Sequence, residues 1–281
     1  LGAGSYGLRF TAPIGTRFTT SGAGTDREVD SDADPTGLVA TFRLADGDDP
    51  RLRPVTTGDP VTAADLIDRS IDAGLTALPA GLAVAATARP VGSTGPFTAT
   101  AQAPRGAAFQ VHVVVTNTGE APLTEVAVTD LDGAGCARAI GDLAAGATET
   151  YDCTGTVTPA KDAVARVHVT GTEPSEAAVS ADGAAALQLT YSLGDRIWDD
   201  QDHDGIQDDG EPGLADVAVT LLDAQGDPVA TTTSGGDGIY RFDGIRPGSH
   251  RVQFARPGAY RWTTASAGSD PTADSDAVAA S

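Results

Sequence analysis

Hydrophobic and polar residues alternate in short runs along most of the chain, a pattern typical of β-strands that bury one face. The clearest runs lie at residues 109–116 and 123–130, with a turn sequence at 117–119 after the first. Further strands are predicted at 148–158, 163–171, 185–191, 215–223, 228–233, 238–242 and 248–254. Glycine-containing turns at 223–226 and 235–238 suit hairpins. The pattern predicts an all-β chain of tandem β-sandwiches in an extended array.

The N-terminal part carries shorter alternating runs, at 5–10, 17–20 and 38–42, separated by clusters of Gly, Pro and Asp. These runs predict a series of strands and turns. Two interpretations, a helix and a strand, compete for the segment between residues 63 and 75. Local propensity slightly favours a helix over residues 63–73, whereas the family resemblance described below favours a closing strand over 65–75.

The first residues of the chain repeat near its end. When residues 1–37 are laid on residues 245–281 without a gap, fourteen of the 37 positions are identical, including the four residues Asp-Ser-Asp-Ala at 30–33 and 274–277. The simplest explanation is a tandem array with a period of 244 residues. We expect either one long continuous chain or subunits that complete each other's open sandwiches, because an unpaired sheet edge promotes aggregation.

The repeat predicts three domains. Residues 1–77 are the C-terminal part of a first β-sandwich, and residues 78–192 form an immunoglobulin-like β-sandwich. Residues 193–281 are the N-terminal and central part of a second copy of the first sandwich.

Residues 200–211 carry carboxylates at positions 1, 3, 5, 9 and 12 of a twelve-residue loop, with a glycine at position 6. This is the spacing of an EF-hand calcium loop, in which the glycine permits a sharp turn and the last glutamate binds with both oxygens. Mg²⁺ fits less well, because a seven-ligand, carboxylate-rich cage suits the larger Ca²⁺. The predicted Ca²⁺ ligands are Asp200, Asp202, Asp204, the carbonyl of Ile206, Asp208 and Glu211.

The alternative interpretation of this segment is an acidic, solvated surface turn. The flanking residues, 194–198 and 214–221, are predicted strands, and the Pro-Gly pair at 212–213 interrupts any helix. We therefore expect an EF-hand-like loop without EF-hand helices, which braces a β domain rather than opening a pair of helices.

The chain has 18 basic and 39 acidic residues and a formal net charge of −21. Nucleic acid and anionic membranes both need a basic surface, so neither is an expected partner. No apolar run approaches the roughly 20 residues of a membrane-spanning helix. We expect no membrane insertion in this segment, and we recognise neither a signal segment nor a membrane anchor.

Two cysteines, Cys136 and Cys153, have sixteen residues between them. The calcium loop and the scarcity of lysine favour an extracellular location, where a disulfide is the expected state. Closing this loop would stabilise the domain by about 3 kcal/mol in the chain-entropy model. Two buried free thiols are the alternative. A zinc site is not predicted, because no histidine lies nearby in the sequence.

Three sequence motifs in the last third of the chain carry a family resemblance: GDRIWDDQDHDGIQDDGEPG at 194–213, VAVTLLD at 217–223 and GDGIYRFDGIRPGS at 236–249. Through them, residues 192–281 resemble the B-type repeat of bacterial serine-aspartate repeat adhesins, a calcium-binding relative of the collagen-adhesin B domain. Residues 1–75 resemble the second half of another copy, ending in DAGL. Residues 79–192 are similar to an immunoglobulin-like repeat of prokaryotic surface proteins, through VTNTGEAPLTEVAVTD at 115–130.

The resemblance implies a prealbumin-like β-sandwich whose stiffness depends on bound Ca²⁺, with the ligand set given above. It also implies two weaker sites. The second site would use Asp195, Asp274 and Asp276, and the first copy's site would use Asp30, Asp32 and Asp34.

Many collagen-adhesin B domains carry a Lys–Asn isopeptide bond. The lysine and asparagine of this chain, Lys161 and Asn117, both lie in the middle domain. The B-type segments therefore cannot form that bond, and we expect calcium to take over its stabilising role.

The expected function is a structural spacer: a stalk or filament-forming repeat of an extracellular protein on the bacterial cell surface, with copies of itself or neighbouring repeats as partners. The alternative is an adhesive module that binds a host or matrix protein through a sheet face or edge. That alternative needs an exposed apolar or aromatic patch, and the chain has only fourteen aromatic residues. An enzyme is not expected, because no nucleophile-and-base or H-E-x-x-H motif appears.

Overall fold

The computed structural model describes residues 4–23, 30–39, 42–44, 52–54, 66–68, 71–270 and 272–277. All regular elements in these ranges are strands, which confirms the predicted all-β fold. No helix in these ranges is long and apolar enough to cross a membrane. The strands are β1 (Gly4–Tyr6), β2 (Thr16–Phe18), β3 (Phe42–Leu44), β4 (Leu52–Pro54), β5 (Leu66–Asp68), β6 (Leu75–Ala77), β7 (Leu82–Pro90), β8 (Thr100–Pro104), β9 (Phe109–Asn117), β10 (Leu123–Asp130), β11 (Arg138–Leu143), β12 (Thr148–Val157), β13 (Ala163–Thr172), β14 (Ala178–Arg196), β15 (Ala218–Leu222), β16 (Pro228–Thr233), β17 (Ile239–Ile245) and β18 (Arg251–Phe254).

The chain divides into two compact units. Unit 1 comprises Leu1–Ala86, Val111–Gly155 and Ala165–Ala184, and unit 2 comprises Thr87–Gln110, Thr156–Val164 and Ala185–Ser281. Several strands of the middle segment have residues in both units, so each unit is described by itself. The three predicted domains, with boundaries after residues 77 and 192, remain a prediction.

In unit 1, β10 pairs antiparallel with β11 and with β13, and the order β12-β9-β7 forms another sheet. Strand β9 shows how the alternating pattern produces this structure. Val111, Val113 and Val115 are fully buried, and the residues between them are partly exposed. Asn117 ends the strand: its side-chain amide donates to the carbonyls of Ala121 and Leu143, at 2.8 Å and 3.0 Å.

A disulfide joins Cys136 to Cys153 in unit 1, with the two Cα atoms 4.4 Å apart. Both cysteines are buried, and the Tyr151 hydroxyl donates to the Cys136 carbonyl at 2.7 Å. The predicted disulfide is confirmed, and the alternative of two free thiols is wrong.

The first copy of the repeat also lies in unit 1, where β2 pairs antiparallel with β6. The predicted single strand over 65–75 is instead divided between β5 and β6, because residues 71–74 are not extended sheet. The competing helix over 63–73 is wrong at residues 66–68, which form β5, and residues 63–65 and 69–70 lie outside the described ranges.

In unit 2, β14 changes partner along its length. Residues 186–190 pair in parallel with β8, and residues 191–196 pair antiparallel with β17. A second sheet has the order β16-β15-β18. One uninterrupted strand thus runs from the predicted middle domain into the predicted third domain.

The last third of the chain has its own apolar core. Val219 and Leu221 of β15 are fully buried, and they cluster with Tyr240 and Phe242 of β17. The ring of Phe254 packs edge-on against Tyr240, with 5.4 Å between the ring centroids. Ile197, which precedes the acidic loop at 200–211, packs against this core, and β15, which follows the loop, contributes Val219 and Leu221 to it.

Candidate metal site

The acidic loop at 200–211 is closed at its base by backbone pairing. Trp198 and Gly213 form an antiparallel bridge, and the Asp199 N–H donates to the Pro212 carbonyl at 2.9 Å. The Leu214 N–H donates to the Ile197 carbonyl at 2.8 Å. The loop therefore leaves and re-enters the sheet framework at adjacent points, as the predicted flanking strands require.

Three carboxylates meet inside the loop. One ligand oxygen from each of Asp200, Asp202 and Asp204 lies within 4.8 Å of the other two. Among the residues that the structure describes, no other set of three His, Cys, Asp or Glu side chains comes this close. The alternating positions 1, 3 and 5 of the loop thus bring hard oxygen donors together, as the spacing predicted.

Backbone hydrogen bonds hold these side chains in place. The Asp200 carboxylate accepts from the N–H groups of His203 and Gly205, at 2.8 Å and 3.0 Å. Asp204 accepts from the Ile206 N–H at 2.7 Å. Because the carboxylates cap the turn that displays them, the loop sequence orients its own candidate ligands.

Gly205, at position 6, has two separate reasons to be glycine. Its φ of +82° lies in the left-handed region, which disfavours other residues. A Cβ atom at this position would also lie only 2.3 Å from the Thr264 carbonyl oxygen. The sharp turn therefore depends on both the conformation and the absence of a side chain.

Glu211 closes the loop from position 12. The residue is only 8% exposed. One of its carboxylate oxygens accepts from the Gln201 N–H at 2.8 Å, and the other accepts from the Asp208 N–H at 3.1 Å. Both oxygens thus bond to the loop backbone, and Glu211 lies outside the close group of three carboxylates.

Asp208 faces the same concentration of negative charge. Burial raises the pKa of its carboxyl, and the charges of Asp204, Asp202 and Glu211 raise it further. It lies outside the close group of three carboxylates.

The backbone on both sides of Ile206 is hydrogen-bonded to the segment 273–275. The Gln207 N–H donates to the Ala273 carbonyl, and the Ser275 N–H donates to the Gly205 carbonyl.

The donor set fits a hard divalent cation. Carboxylate oxygens on a flexible loop suit Ca²⁺, whereas soft metals prefer thiolate or imidazole ligands. The residues that would hold Ca²⁺ are Asp200, Asp202, Asp204, the Ile206 carbonyl, Asp208 and Glu211. The loop's own charge repulsion favours binding of such a cation.

A cavity of about 710 Å³ adjoins the loop in unit 2. Aromatic side chains, including Trp198, Tyr240 and Trp262, form much of its wall. The indole Nε1 of Trp198 is buried and has no hydrogen-bond partner among the described residues. The sequence alone gave no indication of this cavity, because its walls come from several separate segments between residues 195 and 277.

The residues of the second predicted calcium site, Asp195, Asp274 and Asp276, all line this cavity. One carboxylate oxygen of Asp274 is buried without a partner among the described residues. Burial raises the pKa of the Tyr240 hydroxyl, and the charges of Asp195 and Asp276 add to this shift. The three carboxylates do not form a group as close as the one in the loop, and this second site stays a prediction.

One hydrogen bond links the loop to the cavity wall: the Thr263 hydroxyl donates to the Asp200 carboxylate. Burial opposes ionisation of Asp200, but the hydrogen bonds from Thr263, Gly205 and His203 outweigh it and lower the pKa of this carboxyl. Thr263 is a site residue that the spacing of the loop did not reveal. Its equivalent in the first copy is Thr19, an identity that marks the residue but does not indicate its contact with the loop.

In the first copy, the predicted ligands Asp30, Asp32 and Asp34 are not gathered into a close group. Asp34 caps a turn, accepting from the Thr36 N–H at 2.8 Å and the Leu38 N–H at 3.0 Å. Hydrogen bonds lower the pKa of Asp34, that from the Thr36 hydroxyl foremost. Asp32 accepts from the backbone N–H of Asp72 at 3.2 Å. Two of these carboxylates thus hold backbone in place, and a metal site there stays a prediction.

Comparison with known proteins identifies the last third of the chain. Residues 191–281 match the family model described as the SdrD B-like domain, which confirms the resemblance seen in the sequence motifs. Serine-aspartate repeat-containing protein F of Staphylococcus epidermidis is 46% identical over 89 residues, covering 32% of this chain and 5% of that protein. Serine-aspartate repeat-containing protein C of Staphylococcus aureus strain N315 is 42% identical over 91 residues, covering 32% of this chain and 10% of that protein.

Serine-aspartate repeat-containing protein D of S. aureus strain Newman is 41% identical over 88 residues, covering 31% of this chain and 7% of that protein. The matched segment is thus a small part of each relative. Among solved structures, the major pilin subunit BcpA of Bacillus cereus, in its D312A form, aligns over 98% of this chain and 96% of its own at 11% identity, with a TM-score of 0.27. A tetra-tandem repeat in the extending region of a large adhesion protein aligns over 65% of this chain and 50% of its own at 20% identity, with a TM-score of 0.25. TM-scores this low support no structural argument.

Proposed function

We propose that this chain is a structural repeat of a bacterial surface protein, a spacer within an extracellular stalk or filament, and that Ca²⁺ stiffens its last module. The observation that carries the proposal is the group of three loop carboxylates within 4.8 Å of one another, closed by the buried Glu211. The match of residues 191–281 to the SdrD B-like domain supports a role in a surface protein.

The loop is placed so that an ion would fix several segments at once. Arg196, the last residue of β14, donates to the Glu211 carbonyl at 2.7 Å and to the Asp237 carbonyl at 3.1 Å. Ile206 bridges to Asp274 on another side of the loop, and Thr263 bonds to Asp200. Repulsion between the loop carboxylates would loosen all of these attachments, whereas a bound cation neutralises that repulsion.

Strand β14 gives this local effect a mechanical consequence. Its residues 191–196 pair with β17, and its residues 186–190 pair with β8. Since Arg196 ties the end of β14 to the acidic loop, calcium binding would stiffen the end of a strand shared with the preceding segment. We propose copies of the same repeat or neighbouring repeats as the partners of this spacer.

The test is calcium titration of the whole chain by calorimetry, with thermal unfolding in 1 mM Ca²⁺ and in chelator. Asp204→Asn removes a carboxylate of the close group and should weaken calcium binding at least about tenfold. Asp209→Asn is the matched control, because it makes the same change in the same loop at a position that is not a predicted ligand. Stabilisation in calcium should be about 2.7 kcal/mol when the ion is at a hundred times its Kd.

The proposal is wrong in its calcium part when the wild-type chain releases no heat on titration and melts at one temperature in both buffers. Equal loss of affinity in the two variants would mean that general acidity, and not the ligand spacing, attracts the ion. An adhesive role toward a host or matrix protein remains a prediction, to be tested by its own binding assays.

A further inference from the structure

A four-residue linker connects the first copy of the repeat to the segment that follows it in unit 1. Strand β6 ends at Ala77 and β7 begins at Leu82, so residues 78–81 are the whole connection. Strand β6 pairs with β2 of the first copy, whereas β7 belongs to the sheet β12-β9-β7. Segments of one chain that share only a small contact normally move relative to each other. The contacts of this linker therefore decide whether the connection bends.

The linker is hydrogen-bonded to the turn at residues 117–121, which follows β9. The Gly81 carbonyl accepts from the Thr118 N–H at 3.1 Å. The Pro79 carbonyl accepts from the Glu120 N–H at 2.8 Å and from the Ala121 N–H at 3.3 Å. Three backbone N–H groups of the turn thus bind two carbonyls of the linker, and the ring of Pro79 restricts the linker further because it fixes φ.

On its other side the linker is bonded to the first copy. The Leu78 N–H donates to the Gly15 carbonyl at 2.8 Å. Arg17 pairs with Glu120 of the turn, with 2.8 Å between Nη1 and Oε2. The side chains of this pair are 58% and 57% exposed, so the pair contributes little to stability. The backbone hydrogen bonds of the linker are the stronger part of the contact.

The Asn-Thr-Gly sequence at 117–119 builds the turn that receives the linker. The buried Asn117 donates from its side-chain amide to the carbonyls of Ala121 and Leu143. Its side-chain oxygen accepts from the Gly119 N–H at 3.0 Å. A fully hydrogen-bonded buried amide holds the backbone around it in one conformation. Asn117 therefore fixes the turn whose N–H groups bond to the linker.

Two glycines allow the linker and the turn to approach each other. A Cβ on Gly119 would lie 2.5 Å from the Gly81 nitrogen and 2.6 Å from the Pro79 carbonyl oxygen. A Cβ on Gly81 would lie 2.6 Å from the Thr118 hydroxyl oxygen. Neither glycine has a positive φ, so the backbone conformation does not require glycine at these positions. The close approach of the linker does.

A third glycine brings the first copy against the middle segment at a second point. Gly15 has a φ of +80°, and a Cβ there would lie 2.5 Å from Cγ of Pro174. Pro174 follows β13, and its ring cannot rotate away as a flexible side chain would. The first copy is thus in contact with the middle segment both at the turn and at Pro174.

We propose that the turn at 117–121 is an interaction site for the linker of the preceding module, and that it forms a fixed joint together with the contact between Gly15 and Pro174. The partner that the turn recognises is a backbone with free carbonyls at the spacing of Pro79 and Gly81. None of these contacts involves a predicted calcium ligand, so the joint is rigid with or without the ion. The inference deepens the spacer role proposed above and rests on that role for its mechanical meaning.

The first experiment measures amide hydrogen exchange in the full chain, in chelator. The amides of Leu78, Thr118 and Glu120 should be protected. In Gly119→Ala they should exchange at least about tenfold faster, because the added Cβ overlaps the linker backbone and favours local opening. Gly7→Ala is the matched control, since this glycine of the same unit has no positive φ and no atom within 4 Å of an added Cβ.

The second experiment follows the geometry of the joint by pulsed electron paramagnetic resonance. Nitroxide labels replace the exposed Thr11 of the first copy and the exposed Thr150 of β12, and the native disulfide takes no label. The label distances should form one narrow distribution in calcium and in chelator. Gly119→Ala should broaden it. Labels at Thr129 and Thr150, both within the middle segment, should keep their distance and show that the variant is folded.

A second variant makes the test independent of any folding defect in the turn. Gly81→Ala changes the linker alone and should act as Gly119→Ala does. The proposal is overturned by a broad distribution in the unsubstituted chain, by equal exchange in Gly119→Ala and Gly7→Ala, or by a distribution that narrows only in calcium. These measurements do not involve the loop at 200–211, so failure of the calcium proposal and failure of the joint are separate results.

Discussion

Arg246 and Asp162 form an ion pair in unit 2, and both side chains hydrogen-bond to the backbone of Leu189. The guanidinium of Arg246 donates to the Leu189 carbonyl at 2.6 Å, and the carboxylate of Asp162 accepts from the Leu189 N–H at 2.8 Å. Leu189 is buried and lies in β14 just before that strand exchanges β8 for β17 as its partner. One pair of side chains, 84 residues apart in the sequence, thus anchors the strand that continues into the calcium-loop module.

Asp162→Asn should therefore lower the melting temperature of the chain by a few degrees. The amide can still accept from the Leu189 N–H, but it no longer pairs with the charge of Arg246. Differential scanning calorimetry checks the shift. Glu149→Gln is the control, since its exposed pair with Arg138 does not bond to strand backbone, and exposed pairs contribute little. Equal shifts in both variants would contradict a special role for the Leu189 contact.

The same pair predicts a pH dependence. The hydrogen bond and charge of Arg246, together with the Leu189 N–H, hold the pKa of Asp162 below its ordinary 3.8. A depressed carboxyl pKa contributes stability above the unfolded-state value, and that contribution is lost as the pH falls through the folded-state pKa.

The melting-temperature difference between wild type and Asp162→Asn should therefore be constant above about pH 5 and shrink below pH 4. Melting curves in chelator between pH 2.5 and 7 measure this difference without interference from calcium. A difference that stays constant down to pH 2.5 would contradict the assignment.

The disulfide should supply much of the stability of its part of the chain. Reducing Cys136–Cys153 or replacing both residues with serine should lower the free energy of unfolding by about 3 kcal/mol, because a loop of this length restricts the unfolded chain. Urea unfolding with and without a reductant provides the measurement. The doubly substituted chain is the control and should not respond to the reductant, and an unchanged wild-type midpoint after complete reduction would refute the prediction.

Two glycines of the acidic loop provide a matched pair. Gly205 and Gly210 both have a positive φ, of 82° and 102°, but only a Cβ on Gly205 would overlap a neighbouring atom. Gly210→Ala should cost about 1–2 kcal/mol of backbone strain. Gly205→Ala should cost more and should also weaken calcium binding, because the turn that aims Asp200 and Asp204 must open. Similar losses of stability and affinity in both variants would show that the Thr264 contact does not matter.

Alternation of apolar and polar residues predicted those strands in which one face is clearly apolar and the other is clearly polar. Strands β9 and β10 match the predicted segments 109–116 and 123–130 closely. Strands β4, β7, β8 and β11 were not predicted. The sequences of the last three are dominated by alanine, threonine and other small or polar residues, whose side chains differ too little in hydrophobicity to mark a buried face.

In the acidic loop, too, the sequence predicts one part of the site and only the structure reveals another. The spacing of Asp200, Asp202 and Asp204 and the need for Gly205 are local properties, so the sequence predicted the group of carboxylates that the structure contains. Thr263, which bonds to Asp200 from 63 residues away, has no local signature. Only the structure places it beside the loop.

The sequence by itself determined that this protein is built of strands, that residues 200–211 form an acidic turn, that two cysteines are available to pair and that one structural unit recurs after 244 residues. These features depend on neighbours in the chain or on identity between segments. Only the tertiary structure decided that β14 pairs first with β8 and then with β17, that Arg246 and Asp162 both bond to the Leu189 backbone, and that Thr263, Trp198 and Asp274 line one cavity. Those relationships depend on the register of strands that are distant in sequence, and each register is set by the packing of the whole sheet rather than by any segment alone.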